Sequence, residues 1–241
     1  MAEPAIIEAP RPSFIGRILG ILLSPRAAYA DVARRPGIVG ALGLVLLIIV
    51  TATFAFTSTE VGKQALLDQQ VRQMESFGRT VTDQQYERLE QMARFAPYFT
   101  ASLQVVSLPL VALVIAGIAF AVFNAVLGGD ATFRQTYAVV AHSGVILVVQ
   151  QLFVLPLDYA RESLSSPTNF AVFLPFLDEN TFAARLLGSI DLFLIWWAMS
   201  LAIGLGVLYR RRTGPIATTL IVVYVVIGLV IAGIKTALAG A

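Results

Sequence analysis

LGSIDLFLIWWAMSLAIGLGVLYRRRTGPIATTLIVVYVVIGLVIAGIKTAL, residues 187–238, holds two long apolar runs. Leu187–Tyr209 and Pro215–Leu238 are separated only by Arg210-Arg211-Arg212-Thr213-Gly214. Roughly 20 apolar residues are needed to cross a bilayer as a helix, and each run supplies them. Three more runs of this kind lie upstream, Gly37–Thr57, Phe99–Leu127 and Tyr137–Leu157. All five are continuously apolar, where a membrane β-barrel would alternate. Lipid offers no partners for backbone N–H and C=O groups, so such segments close their hydrogen bonds internally as helices. The expected fold is an all-α, polytopic membrane helix bundle with five transmembrane helices. Composition agrees, with 57% hydrophobic residues, 13% charged residues and a mean hydropathy of +0.79. An average soluble domain is about 25% charged.

The connections differ in character. Gly128-Gly129-Asp130 reads as a tight turn between the second and third runs. The overlong second run is expected to tilt, or to start late, after Pro109. Segment 58–97 is polar and reads as two helices broken near Gly78 and ending before Pro97. Thr82-Asp83-Gln84-Gln85 fits a capping box there, with Thr at N-cap and Gln at N3. Loop 158–186 is irregular, with Ser163–Pro167 as its turn. Its apolar stretch Phe170–Leu177 is too short to span and is placed at the interface.

Ahead of the first run, residues 1–12 read as a disordered tail, and residues 13–241 as one membrane domain. Glu3, Glu8 and three prolines within 1–13 argue against a cleaved signal peptide. On a helical wheel Phe14, Ile15, Ile18, Leu19, Ile21, Leu22 and Leu23 share one broad arc, with Gly16, Arg17 and Gly20 opposite. Ser24-Pro25 starts a second short helix carrying Tyr29 and Val32 on one side. The pair is expected to lie flat on the membrane, anchored by Phe14, Ile18 and Leu22 with Arg17 at the headgroups. The competing reading is an extra helix packed against the bundle.

Lys and Arg favour the cytoplasmic side. With the N-terminus inside, nine basic residues fall inside and eight outside, so their distribution decides. The five bases of 58–97 share their segment with six acids, whereas the 210–214 turn has three arginines and no acid. The N-terminus is therefore expected in the cytoplasm, the C-terminus outside, and 58–97 as an extracytoplasmic helical loop. Fifteen Arg against two Lys, with abundant Ala, suggests a GC-rich bacterium and its cytoplasmic (inner) membrane.

Ionisable residues inside spans are the default functional candidates. Three qualify: His142, Asp191 and Lys235. A lone membrane His more often hydrogen-bonds a neighbouring helix than relays protons, and that is the expectation for His142. Asp191 and Lys235 are expected at one depth on adjacent antiparallel helices, where an ion pair would offset their burial. The Leu201–Gly206 run is a small-residue face suited to close helix packing. The chain lacks cysteine. Nothing in it resembles a phosphate loop, a metal cluster or a catalytic constellation. No catalytic residue, cofactor, metal or nucleic-acid partner is expected.

Leu22-Leu23-Ser24-Pro25-Arg26-Ala27-Ala28-Tyr29 resembles the motif that precedes the first span in the bacterial branch of the Yip (Ypt/Rab-interacting protein) domain family. Thr132-Phe133-Arg134-Gln135-Thr136-Tyr137-Ala138 is similar to that family's second recurrent segment. The resemblance covers roughly residues 13–238. It implies a small membrane protein without catalytic residues. Rab-type GTPase binding, linked to eukaryotic members, is not carried over, because the long polar N-terminal region and the Tyr-Gly-Pro-type motif are missing.

Two functions compete. One is a non-enzymatic membrane scaffold or adaptor whose partners are the lipid bilayer and other membrane proteins or a second copy. The alternative is a small transporter or permease subunit using the polar residues in the spans. Transporters usually carry inverted repeats, and five spans divide poorly into two halves. A membrane-embedded enzyme ranks third, because acid, base and nucleophile do not converge.

Overall fold

The computed structural model describes residues 13–178 and 181–239. The 1–12 tail of the sequence reading lies outside the described residues. Two short helices come first, α1 (Phe14–Leu23) and α2 (Pro25–Arg34). They are followed by α3 (Val39–Thr57), α4 (Glu60–Ser76), α5 (Asp83–Ala93) and α6 (Ala96–Phe120). α6 runs on into a π-helical segment, Ala121–Val126. Then come α7 (Phe133–Ser143), α8 (Val145–Arg161), a single 3-10 turn at Phe170–Phe173, α9 (Phe182–Gly188), α10 (Leu192–Leu208) and α11 (Thr213–Ala239). The described chain is otherwise loops and one isolated β-bridge, Asn169 to Asp191.

Among the described residues four helical stretches are long and apolar enough to cross a membrane: Val39–Thr57, Ala96–Val126, Phe133–Arg161 and Thr213–Leu238. The run expected at 187–209 is not one helix. α9 ends at Gly188, and α10 begins only at Leu192 with 17 residues. The cause is Asp191. Its carboxylate accepts from the N–H groups of Phe193 and Leu194, which makes it the N-cap of α10. Residues 189–191 leave the helix to pair with the 168–170 segment, Phe170 N–H to Ile190 O and Leu192 N–H to Thr168 O.

Other boundaries also moved. α6 starts at Ala96 with Pro97 in its first turn, and Pro109 sits inside the continuous helix. The third span starts at Phe133 because Thr132 and Gln135 form a capping box. It changes helix at Gly144 and continues to Arg161. Thr82 and Gln85 form the capping box at the start of α5.

Side-chain contacts fix the packing. α3 runs antiparallel to α6, with Gln104 donating to Thr53 and Phe54 edge-on to Tyr98. α7–α8 lies antiparallel to α10 along its whole length. The rungs are Thr136 to Tyr209 at 2.7 Å, Ser143 to Trp197 at 3.0 Å and Gln150 to Asp191 at 3.2 Å.

α1 and α2 form a hairpin whose helices touch at Gly20 and Ala28. One face of α2 packs into the bundle. Tyr29 and Val32 are fully buried, and they share one core with Val139, Leu201 and Leu205. These contacts are those of the competing reading, an extra helix packed against the bundle. The reason is the small-residue face of α10. Gly204 lacks the Cβ that would lie 2.6 Å from Val139 Cγ1 and 2.9 Å from Tyr29 Cε1, so α2 and α7 both close onto α10 there. Gly204→Ala should therefore cost about 1–3 kcal/mol of stability in detergent, the usual range for overpacking. Gly43→Ala, where the same atom meets nothing within 4 Å, is the control. Equal melting temperatures for the two variants would refute the close approach.

Candidate functional site

Polar groups gather at two places in the bundle. The first is around the N-terminal hairpin. Arg17 of α1 and Asp31 of α2 form an ion pair at 2.7 Å, with side chains 17% and 9% exposed. Arg17 Nη1 also lies beside Gly37, where α3 is about to start. The Tyr29 hydroxyl bonds Ser200 Oγ at 2.8 Å. Burial pushes that hydroxyl above its usual pKa, so Tyr29 stays protonated. The Gln135 side chain donates to Ala33 O at the end of α2. His142 is 1% exposed. Its Nδ1 lies 2.8 Å from Ala138 O, and a carbonyl only accepts, so Nδ1 carries the proton. Its partner is thus its own helix and not a neighbouring one.

This placement gives the residues expected as surface anchors contacts within the protein. Ile18 and Leu22 pack against the core, and the Phe14 ring lies over Gly40 of α3. Arg17 pairs with Asp31. The face of α1 that stays open is Ile15, Leu19 and Leu23, one ridge at i, i+4 and i+8. Sequence reading missed the pairing because Asp31 sits on the other helix of the hairpin, and its 14-residue offset from Arg17 fits no single-helix pattern.

The second place is around Asp191. Its Oδ1 accepts from the backbone N–H of Phe193 and Leu194 and from Gln150 Nε2. Its Oδ2 accepts from the hydroxyls of Ser166 and Thr168, both at 2.6 Å. The Asp191 N–H donates to Tyr224 OH, and that hydroxyl donates to Ser189 O. One carboxylate thus ties α8, the 166–168 loop and α10 together, and its own N–H reaches α11. The expected ion pair with Lys235 is not formed. α11 outruns α10 and continues beside α9, with Gly228 against Ser189 and Arg185 reaching Thr236. Lys235 lies eleven residues beyond Tyr224, about 16 Å along the helix axis. It sits over the Phe77 ring instead, 5.5 Å from its centroid.

Chemically, neither cluster presents an attacking group. Each oxygen of Asp191 is taken up by donors, and Asp31 is held by Arg17. Among the described residues no group of three or more His, Asp or Glu is placed to hold a metal ion. Gln150, Ser166, Thr168 and Tyr224 were invisible as partners in the sequence. The one usable signal was an Asp at the start of an apolar run, which is the N-cap pattern.

Residues 19–234 match the model of the Yip1 domain family. No curated protein and no solved structure matches the chain.

Proposed function

The chain belongs to the Yip1 domain family, multi-pass membrane proteins, and from that premise we propose a non-enzymatic scaffold or adaptor in the bacterial cytoplasmic membrane. One observation carries this reading. Two buried ionised sites, the Arg17–Asp31 pair and Asp191, are committed to holding helices together, so what these two clusters leave to offer others is surface. The chain crosses the bilayer five times. α10 is the short fifth span, and its 17 residues sit at the lower end of the spanning range. The N-terminal hairpin faces the cytoplasm with α1 at the interface, and α4 and α5 stand outside.

One set of observations favours the transporter alternative. Two spans are irregular, Ala96–Val126 through the π segment at 121–126, and Phe133–Arg161 through the break at Gly144 and Pro156 within α8. Discontinuous helices are what transporters use.

Two measurements test this proposal. Reporter fusions after Arg212 and after Ala241 should report opposite sides of the membrane, cytoplasmic for Arg212. A cytoplasmic signal at Ala241 would overturn the five-span topology. For the role, cross-linking in native membranes should recover a membrane protein or a second copy in near-stoichiometric amount. His142→Ala should leave both that capture and complementation of a deletion strain intact. A variant that keeps the complex but abolishes complementation would favour transport.

A further inference from the structure

A lateral groove of about 850 Å³ runs along α10 between α6 and α11. α10 forms its floor, through Leu194, Trp197, Leu201 and Leu205. α6 with its π segment forms one wall and α11 the other. The rims are open: Ile118 on one side is 62% exposed, and Val223 on the other 51%. The lining is apolar from Leu194 to Leu205. At the Leu205 end, two guanidinium groups close it, Arg211 and Arg212. Arg211 is set there by donating to Leu127 O at 2.8 Å, at the end of the π segment. Among the described residues Arg212 makes no ion pair, so its charge is uncommitted.

We propose that this groove is a binding site for one anionic phospholipid of the leaflet on the Arg211–Arg212 side. Its phosphate sits at the two arginines, and an acyl chain lies along α10. The dimensions agree. Leu194 and Leu205 are eleven residues apart, about 16 Å of helix. Half of a hydrocarbon core of about 30 Å is the same length. The polarity agrees as well. The cations stand at one end, where a headgroup would be, and the remainder is apolar. A guanidinium pairs with phosphate oxygens in a two-pronged geometry. The π segment contributes by setting Leu127 O where it holds Arg211. The site is independent of the scaffold role and of which side of the membrane is cytoplasmic.

Trp197 lies in the groove floor and is its natural probe. The only other tryptophan, Trp196, is removed by Trp196→Phe. The full chain is reconstituted in vesicles at a fixed fraction of acyl-brominated lipid, either phosphatidylglycerol or phosphatidylcholine. Two basic side chains should enrich the anionic lipid on the order of tenfold at the site. Trp197 is then quenched more strongly by the brominated anionic lipid. Arg211→Gln with Arg212→Gln should abolish the difference, and native mass spectrometry should lose the retained anionic lipid. Equal quenching by the two lipids in the unaltered site overturns the proposal, and needs no arginine variant to fold. A preference that survives loss of both arginines overturns it too. So does a cross-link between copies at Val223→Cys with no quenching by either lipid, because a second copy would then fill the groove.

Discussion

Asp191→Ala should lower stability in detergent by about 3–5 kcal/mol. A hydrogen bond to a charged group is worth about 1.5–3 kcal/mol, and here five donors share one carboxylate. The total stays well below their sum because the bonds act as a unit and the site partly relaxes. Asp191→Asn should cost less, since Asn remains a good N-cap for Phe193 and Leu194. It loses the negative charge that both hydroxyls donate to. The charge swap is the sharper experiment. Asp191→Lys with Lys235→Asp should be no better than Asp191→Lys alone, because the two side chains lie at different levels of α11. Recovery in the double variant, followed by thermal or detergent denaturation, would restore the ion pair and overturn this account.

The second large effect is expected at the hairpin. Arg17→Ala leaves Asp31 as an unpaired charge, buried between α1 and α2. Breaking a buried pair on one side typically costs about 3–5 kcal/mol. Removing both charges with apolar residues of similar volume, Arg17→Met with Asp31→Leu, should recover most of that loss. The burial cost of two ions is then no longer incurred. If single and double variants denature alike, the pair carries no such weight. Should the double variant exceed the wild type, the pair is retained for the geometry of the hairpin and not for its stability.

How much of the fold was legible depends on where each signal lives. The spans are a property of local composition, so the apolar runs marked the membrane helices directly. Capping is also local. Thr82 with Gln85 could be read in four letters, and Thr132 with Gln135 could have been read the same way. The failures were non-local. Asp191 looked like a charge one turn inside a long span, because Leu187, Gly188 and Ile190 before it are as apolar as Leu192, Phe193 and Leu194 after it. The break depends on Ser166 and Thr168, more than 20 residues upstream. Tyr29 and Val32 showed a one-sided helix, but a lipid surface and the face of α10 demand the same pattern. Only Gly204, read together with Tyr29 and Val139, decides between them. Lys235 was misplaced for the same reason, since its level depends on α11 outrunning α10.

The hairpin has a consequence for how the protein is made. Tyr29 and Ser200 meet across 171 residues. Synthesis proceeds at about 5–20 residues per second, so the hairpin leaves the ribosome roughly 10–30 s before its berth on α10 exists. During that interval Tyr29, Val32 and Ile21 have no core to enter. A folded bundle therefore includes one late step, in which the hairpin is sealed by helices made well after it. Until then the hairpin's apolar arc has only the bilayer surface to rest on. The lipid-bound arrangement suggested by its amino-acid pattern is thus the state expected of the whole hairpin in the nascent chain, and the burial of Tyr29 and Val32 that of the finished protein.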